Sequence, residues 1–194
     1  MSSNAKHSAL VLVDVQKAFL EWEAGGMRRN NTDAVRNIVA LLNACRSVAV
    51  SVFHIRHASL EAGSKLRADA PGFAPIAGVE ERDDEPVITK HVNSAFIGTD
   101  LEERLRTADT DTLFIAGITT NHCVETTTRM AGNLGFDAHL VEDACYTFDR
   151  TGFDGRLETA EHIHAMTLSN LSGEFATIQT TNTVLQSLNA ADAA

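Results

Sequence analysis

Cys123 is the side chain whose setting in this 194-residue chain points most directly to chemistry. It follows Leu113 to Ala116, a continuous apolar run bounded by Gly117 that reads as a strand buried on both faces, and then a Thr- and Asn-rich turn from Ile118 to His122. From Cys123 onward, Val124, Thr127, Ala131 and Leu134 recur at helical spacing, and Gly135 stands where a helix C-cap would be. A thiol in the first turn of a helix feels the positive end of the helix dipole and unpaired backbone N–H groups, both of which favour thiolate. The same N–H groups can hold a developing oxyanion. These residues alone fit a buried, inert cysteine equally well.

The elements that would position this thiol repeat one pattern. Ala9 to Val13 is a second continuous apolar run, a central parallel strand ending at Asp14. Thr32 opens a helical pattern carrying Val35, Ile38, Val39 and Leu42, with Thr32 as N-cap and Asp33 in the first turn. Val48 to Ile55 reads as a strand, Pro86 to Thr89 as a brief one leading to Lys90, and Thr99 to Arg106 as a short helix. After the Cys123 segment come a strand at Ala138 to Val141, a helix at Leu157 to Leu171, a strand at Glu174 to Ile178 and a helix at Asn182 to Leu188. Residues 58–85 show no periodicity, and a connection of that length is expected to be a lid, a binding loop or a subunit contact. Strands alternating with helices indicate an α/β fold, a parallel sheet covered on both faces in three α/β/α layers. Ligands bind beyond the carboxyl ends of such strands. Asp14, Lys90 and Cys123 all stand on that rim, although 76 and 33 positions separate them along the chain.

Composition narrows the function classes. The length and 44% hydrophobic content suit one domain over residues 1–194, with the alanine-rich end, 189–194, expected to fray. A formal charge of −10 opposes binding to nucleic acid or anionic membrane, so a small-molecule partner is the better expectation. No apolar run approaches a membrane span and Met1 to Ser8 is too short and polar for a signal peptide, which suggests a cytoplasmic protein. Cys45, Cys123 and Cys145 are odd in number and widely spaced, as reduced thiols are. His122 adjoins Cys123, but helix neighbours point about 100° apart, so adjacency implies no dyad. His162 and His164, two apart in a helix, cannot share a ligand face. No glycine-rich phosphate-binding motif follows a strand.

Four segments, LVLVDVQKAF at 10–19, TKHVNSAFIGTDLEERL at 89–105, AGITTNHCVETTTRMAGNLGF at 116–136 and DACYTFD at 143–149, resemble the isochorismatase-like cysteine hydrolases in order and spacing. The resemblance implies a Rossmann-like fold with a six-stranded parallel sheet and maps an Asp-Lys-Cys triad onto Asp14, Lys90 and Cys123. It also implies a non-proline cis peptide at Ile118-Thr119, with Thr119 and Cys123 N–H groups as oxyanion hole, and self-association into a homo-oligomer. The reaction implied is cleavage of a small amide, carbamoyl or ureido C–N bond, with Lys90 lowering the thiol pKa. Gln16, Phe19, Trp22, Asn93 and Phe96 are candidate pocket residues. Two alternatives remain: vinyl ether hydrolysis with Asp14 as acid, and a redox-sensing thiol. His54 and His57 fall where nicotinamidases of this family hold a metal with an Asp and histidines, but the matching Asp position reads as Val52. The expectation is therefore no metal and no other cofactor.

Overall fold

The computed structural model describes residues 7–192. Its centre is a six-stranded, all-parallel sheet assembled from β1 (Ser8–Val13), β2 (Ser51–His57), β3 (Val87–Lys90), β4 (Thr112–Ile118), β5 (Asp137–Tyr146) and, as its last strand, Thr177–Gln179. A hairpin of two short strands, β6 (Arg150–Thr151) and β7 (Leu157–Glu158), intervenes, so the last sheet strand is β8. The spatial order is β3-β2-β1-β4-β5-β8. Chain order reverses between β1 and β4, the place where a doubly wound sheet opens a crevice beyond its carboxyl ends.

The helices are α1 (Lys17–Ala24), α2 (Ala34–Ser47), α3 (Leu101–Thr107), α4 (Glu125–Asn133), α5 (Ala160–Leu171) and α6 (Thr181–Asp192). Alternation along β1 assigns them to layers. Leu10 and Leu12 pack with Ile38, Leu41 and Leu42 of α2 and Val184 of α6, whereas Ala9, Val11 and Val13 pack with Leu101 of α3, Ala131 of α4 and Leu171 of α5. Both faces are thus apolar, which is why β1 and β4 read as unbroken hydrophobic runs. This is the three-layer α/β/α Rossmann-like arrangement.

Several boundaries differ from the sequence reading. Helix α1 has no counterpart in it: this helix is eight residues long and begins with no side-chain cap. Helix α2 starts after Asp33 rather than Thr32, again with no side-chain cap. Strand β2 begins at Ser51, because helix α2 continues to Ser47, and β5 runs ten residues instead of four. Helix α5 starts at Ala160, where the Thr159 side chain accepts a hydrogen bond from His162 N, and Leu157 belongs to the hairpin. Strand β8 begins at Thr177, not Glu174. Residues 189–192 are helical, as part of α6, rather than frayed, and the remaining two lie outside the described residues.

The long connection 58–86 is tied down. Lys17 N donates to Ala74 O (2.8 Å), Ile76 N to Val15 O (3.0 Å) and Ala58 N to Lys90 O (2.8 Å). It holds one turn of 3-10 helix, Pro71–Phe73, packed on α1 through the contact of Gly72 with Ala18.

Gly117 closes the crevice from β4. Its φ is +143°, it pairs with Val13, and a Cβ there would lie 2.0 Å from Val13 O. That atom belongs to the central strand and has nowhere to retreat. Gly117→Ala is expected to destabilise the fold by roughly 3 kcal/mol or more. A urea midpoint equal to that of the unaltered protein would contradict this account.

Candidate active site

Strand β1 ends at Val13, and Asp14 continues its ladder by donating N–H to Ile55 O (2.9 Å). Asp14 has a φ of +54°, a left-handed conformation that aspartate tolerates better than most residues. Its carboxylate is 1% exposed. Lys90, the last residue of β3, lies opposite His57 in the β2–β3 register, and its long stem carries Nζ back over β2 to Asp14 Oδ2 at 2.8 Å. The Lys90 side chain is wholly buried. His57 Nδ1 lies 3.3 Å from the same Nζ, while Asp14 Oδ1 has no hydrogen-bond partner.

The thiol approaches from β4. After the cis peptide Ile118-Thr119, residues Thr120–Val124 form one wide π-type turn that leads into α4, so Cys123 sits in that turn and not in an ordinary first helical turn. Thr120 is buried, and its hydroxyl meets His164 Nδ1 of α5 at 2.9 Å. Cys123 Sγ lies 3.8 Å from its acceptor, Asn93 Oδ1. One ligand-type atom from each of Asp14, His57 and Cys123 falls within 4.8 Å of the others. Such a trio can hold a metal ion, but here Lys90 Nζ already touches two of its members and supplies positive charge from the chain itself.

Burial sets the electrostatics. It raises the Asp14 carboxyl above the ordinary range, against the lowering influence of the Lys90 ammonium. The Cys123 thiol is pushed up to about 12, first by burial and then by the neighbouring Asp14 charge, with Lys90 opposing. This corrects the expectation of a thiol pKa lowered at rest, because desolvation and the carboxylate outweigh lysine and helix terminus. The resting sulfur is a neutral thiol beside an unusually basic carboxylate. Burial, then Lys90, lowers His57 and keeps its imidazole neutral.

Asp14, His57, Asn93, Thr119 and Cys123 line one cavity of about 600 Å³. Its other wall is apolar: Phe19 meets Trp22 edge-on (centroids 5.0 Å) and stacks on Phe148 (6.5 Å), with Leu66 of the long connection beside them. Two other depressions, of about 700 and 880 Å³, lie away from Cys123 and carry ion-paired residues, among them Arg46–Glu85 and Arg28–Glu161.

Phe19, Trp22 and Asn93 therefore reach the cavity, and two other candidates do not. Gln16 is fully buried beneath it: Oε1 accepts from His57 N (2.9 Å), and Nε2 donates to His57 O (3.2 Å) and Phe73 O (3.1 Å). Phe96 turns into the core to stack on Phe136 (5.9 Å). Val52 is packed in the core, and His54 is held by the buried Glu85 at 2.9 Å, so neither reaches the cavity. His122 does line it, yet both its nitrogens are engaged. Arg150 Nη1, which can only donate, meets Nε2 at 3.0 Å, leaving Nδ1–H to donate to Thr119 Oγ1 at 3.0 Å. The sequence reading assigned no role to His57, Leu66, Phe148 or Arg150. Phe148 carried a signal within the motif 143–149, and His57 carried one only as a position where nicotinamidases of the family hold a metal.

His164 makes the nucleophile turn sensitive to acid. Its pKa is lowered to about 4 by burial, whereas the unfolded chain titrates near 6.5. The unfolded state thus takes the proton first, so stability is complete above 6.5 and falls as pH drops toward 4, by about 3 kcal/mol at the limit. Replacing His164 by glutamine is expected to flatten the stability profile between those values by about one proton. An unchanged slope would refute the assignment.

The profile described as Isochorismatase domain matches residues 8–183. The chain belongs to the isochorismatase family. An uncharacterized isochorismatase family protein of Bacillus subtilis, YrdC, is 44% identical over 177 residues, covering 91% of this chain and 94% of that one. Nicotinamidase 3 of Arabidopsis thaliana is 28% identical, covering 89% and 84%. Among solved structures, a protein of the isochorismatase family from Chromobacterium violaceum superposes with a TM-score of 0.92 at 40% identity, covering 98% of this chain and 97% of that one. A cysteine hydrolase from Pseudomonas syringae superposes with 0.88 at 28%, covering 97% and 95%. The chain is accordingly an isochorismatase-family cysteine hydrolase.

Proposed function

We propose that this isochorismatase-family enzyme hydrolyses a small amide, carbamoyl or ureido C–N bond through a thioester on Cys123. The observation that carries the reading is the meeting of Asp14 and Cys123 at one cavity, with the buried Lys90 ammonium bonded to Asp14 Oδ2 behind its wall. Asp14, made more basic by burial, takes the thiol proton through its free oxygen as sulfur attacks the carbonyl carbon. The Lys90 ammonium balances the charge passing between sulfur and carboxylate. The N–H groups of Thr119 and Cys123, both residues of the cavity wall, receive the oxyanion. Collapse of the tetrahedral intermediate breaks C–N, and protonated Asp14 gives its proton to the departing amine or ammonia. Asp14 then deprotonates a water that attacks the thioester, and the proton returns to sulfur. The chain's own groups supply every proton transfer, and the aromatic wall suits a substrate with a planar or apolar body.

The nicotinamidase among the relatives supports amide chemistry. A redox switch finds no support: Cys45 and Cys145 are wholly buried in opposite cores, where neither offers a resolving thiol. Among the described residues no helix is long and apolar enough to cross a membrane. We take the enzyme to be cytoplasmic, as its sequence suggests, and self-associating, as the family resemblance implies.

Two measurements test the proposal. Ammonia release across a panel of carboxamides, carbamoyl compounds and ureido acids should find a substrate, and silence across all three classes would count against the reaction. Iodoacetamide should label Cys123 far faster than Cys45 or Cys145. Burial pushes all three thiols up to about 12, so the difference must come from access and from Asp14. Equal rates at the three positions would end the nucleophile assignment.

A further inference from the structure

We infer that His57 is a positioning residue that aims the Lys90 ammonium at the Cys123 sulfur. The inference rests on the nucleophile reading of Cys123 but adds to it. An ammonium has three N–H bonds in fixed tetrahedral relation. Asp14 Oδ2 takes one at 2.8 Å and His57 Nδ1 takes a second at 3.3 Å, so the direction of the third is settled. With only Asp14 as partner, the one torsion open to the ammonium, rotation about Cε–Nζ, would be held from one side in a broad well. The His57 acceptor confines that torsion from a second side, and the Cys123 sulfur feels both the charge of Lys90 and a hydrogen bond from it. The Lys90 stem is wholly buried and offers no alternative placement.

His57 suits the task because its imidazole is neutral and Nδ1 is free to accept. The groups facing it are Lys90, Asp14, His91 and the Val92 backbone, and because the lysine ammonium can only donate, Nδ1 must accept, which leaves the proton of the neutral ring on Nε2. Its backbone is fixed in turn. Gln16 grips both the N–H and the C=O of His57 with one buried amide and ties the same residue to Phe73 of the long connection. Gln16 thereby acts on the cavity without touching it, and His57 has a fixed origin from which to hold lysine.

The test compares iodoacetamide labelling of Cys123 in His57→Leu and His57→Asn. Leucine keeps bulk and loses the acceptor, whereas the asparagine amide oxygen stands near the place of Nδ1. We expect labelling of Cys123 to slow by about tenfold in the leucine variant and to stay within about threefold of the unaltered rate in the asparagine variant. A purely structural role would impair both variants alike. Equal slowing, or no slowing in His57→Leu, overturns the inference while leaving the nucleophile assignment intact. That assignment fails separately, if Cys123 in the unaltered protein labels no faster than Cys45 and Cys145. Should the leucine variant not fold, histidine nitrogen NMR of the unaltered protein still decides. The expected result is a neutral Nε2–H tautomer with Nδ1 accepting, and a protonated Nδ1 at neutral pH overturns it.

Discussion

Cys123→Ala is expected to lower amide turnover by about 10⁴-fold or more while leaving the fold within about 1 kcal/mol of the unaltered protein. The two halves of that expectation have different origins. In the proposed reaction sulfur forms the covalent intermediate, so its loss would remove a reaction path rather than a contact. The oxyanion N–H groups and cavity remain, and they alone supply the residual rate. Stability is spared because Cys123 lies part-exposed at the cavity wall and only leans on the core, unlike Cys45 and Cys145, which are sealed within it. The variant also separates two chemistries. Cleavage of a vinyl ether by acid transfer needs Asp14 but no sulfur, so it would survive the substitution. Amide turnover retained in Cys123→Ala, measured as ammonia release at saturating substrate, would transfer the chemistry away from sulfur altogether.

The rim of the sheet is legible in the sequence and the cavity wall is not, and the reason is physical. Strands β1 and β4 are buried on both faces, so their apolar runs announce them, and the residue next after each run must emerge at a strand end. Asp14 can be located by that logic, Cys123 by the turn and helical pattern that follow the β4 run, and Lys90 as the last residue of a brief edge strand. Gln16 shows where the logic stops. A glutamine three residues beyond a strand looks poised to meet a ligand, but its amide is consumed by main-chain groups 41 and 57 positions away. Nothing local encodes those partners. His57 is the converse case, a polar residue at the end of β2 whose value comes from lying across from Lys90 in the register of an edge strand. Phe96 is drawn off by Phe136, an aromatic partner in the segment after α4. The hairpin of β6 and β7 leaves no signal because two-residue strands are too short to show alternation, although Arg150 brings it to the cavity.

Lys90→Met is expected to cost about 3–5 kcal/mol of folding stability at neutral pH, a large share of the roughly 5–15 kcal/mol that holds a domain together. Methionine fills much the same buried channel, so packing is not the main loss. The loss is electrical: Asp14, 1% exposed and already lacking a partner at Oδ1, would lose the one at Oδ2. A buried carboxylate without a counterion escapes by taking a proton, and with its chief lowering influence gone the Asp14 pKa rises further above 3.8. A group with a raised folded-state pKa contributes stability that is present in acid and lost as pH rises through the folded value. The deficit of Lys90→Met should therefore be small near pH 4 and grow toward pH 8, a trend readable from urea unfolding at a series of pH values. Asp14→Asn in the same background removes the stranded charge, so the double variant should recover much of the stability, with a coupling between the two sites of about 1–3 kcal/mol. Under the proposed mechanism both single variants should still be inactive, because one would lack its cation and the other its base. A pH-independent deficit, or additive effects in the double variant, would mean that lysine and aspartate are not the coupled pair on which the chemistry relies.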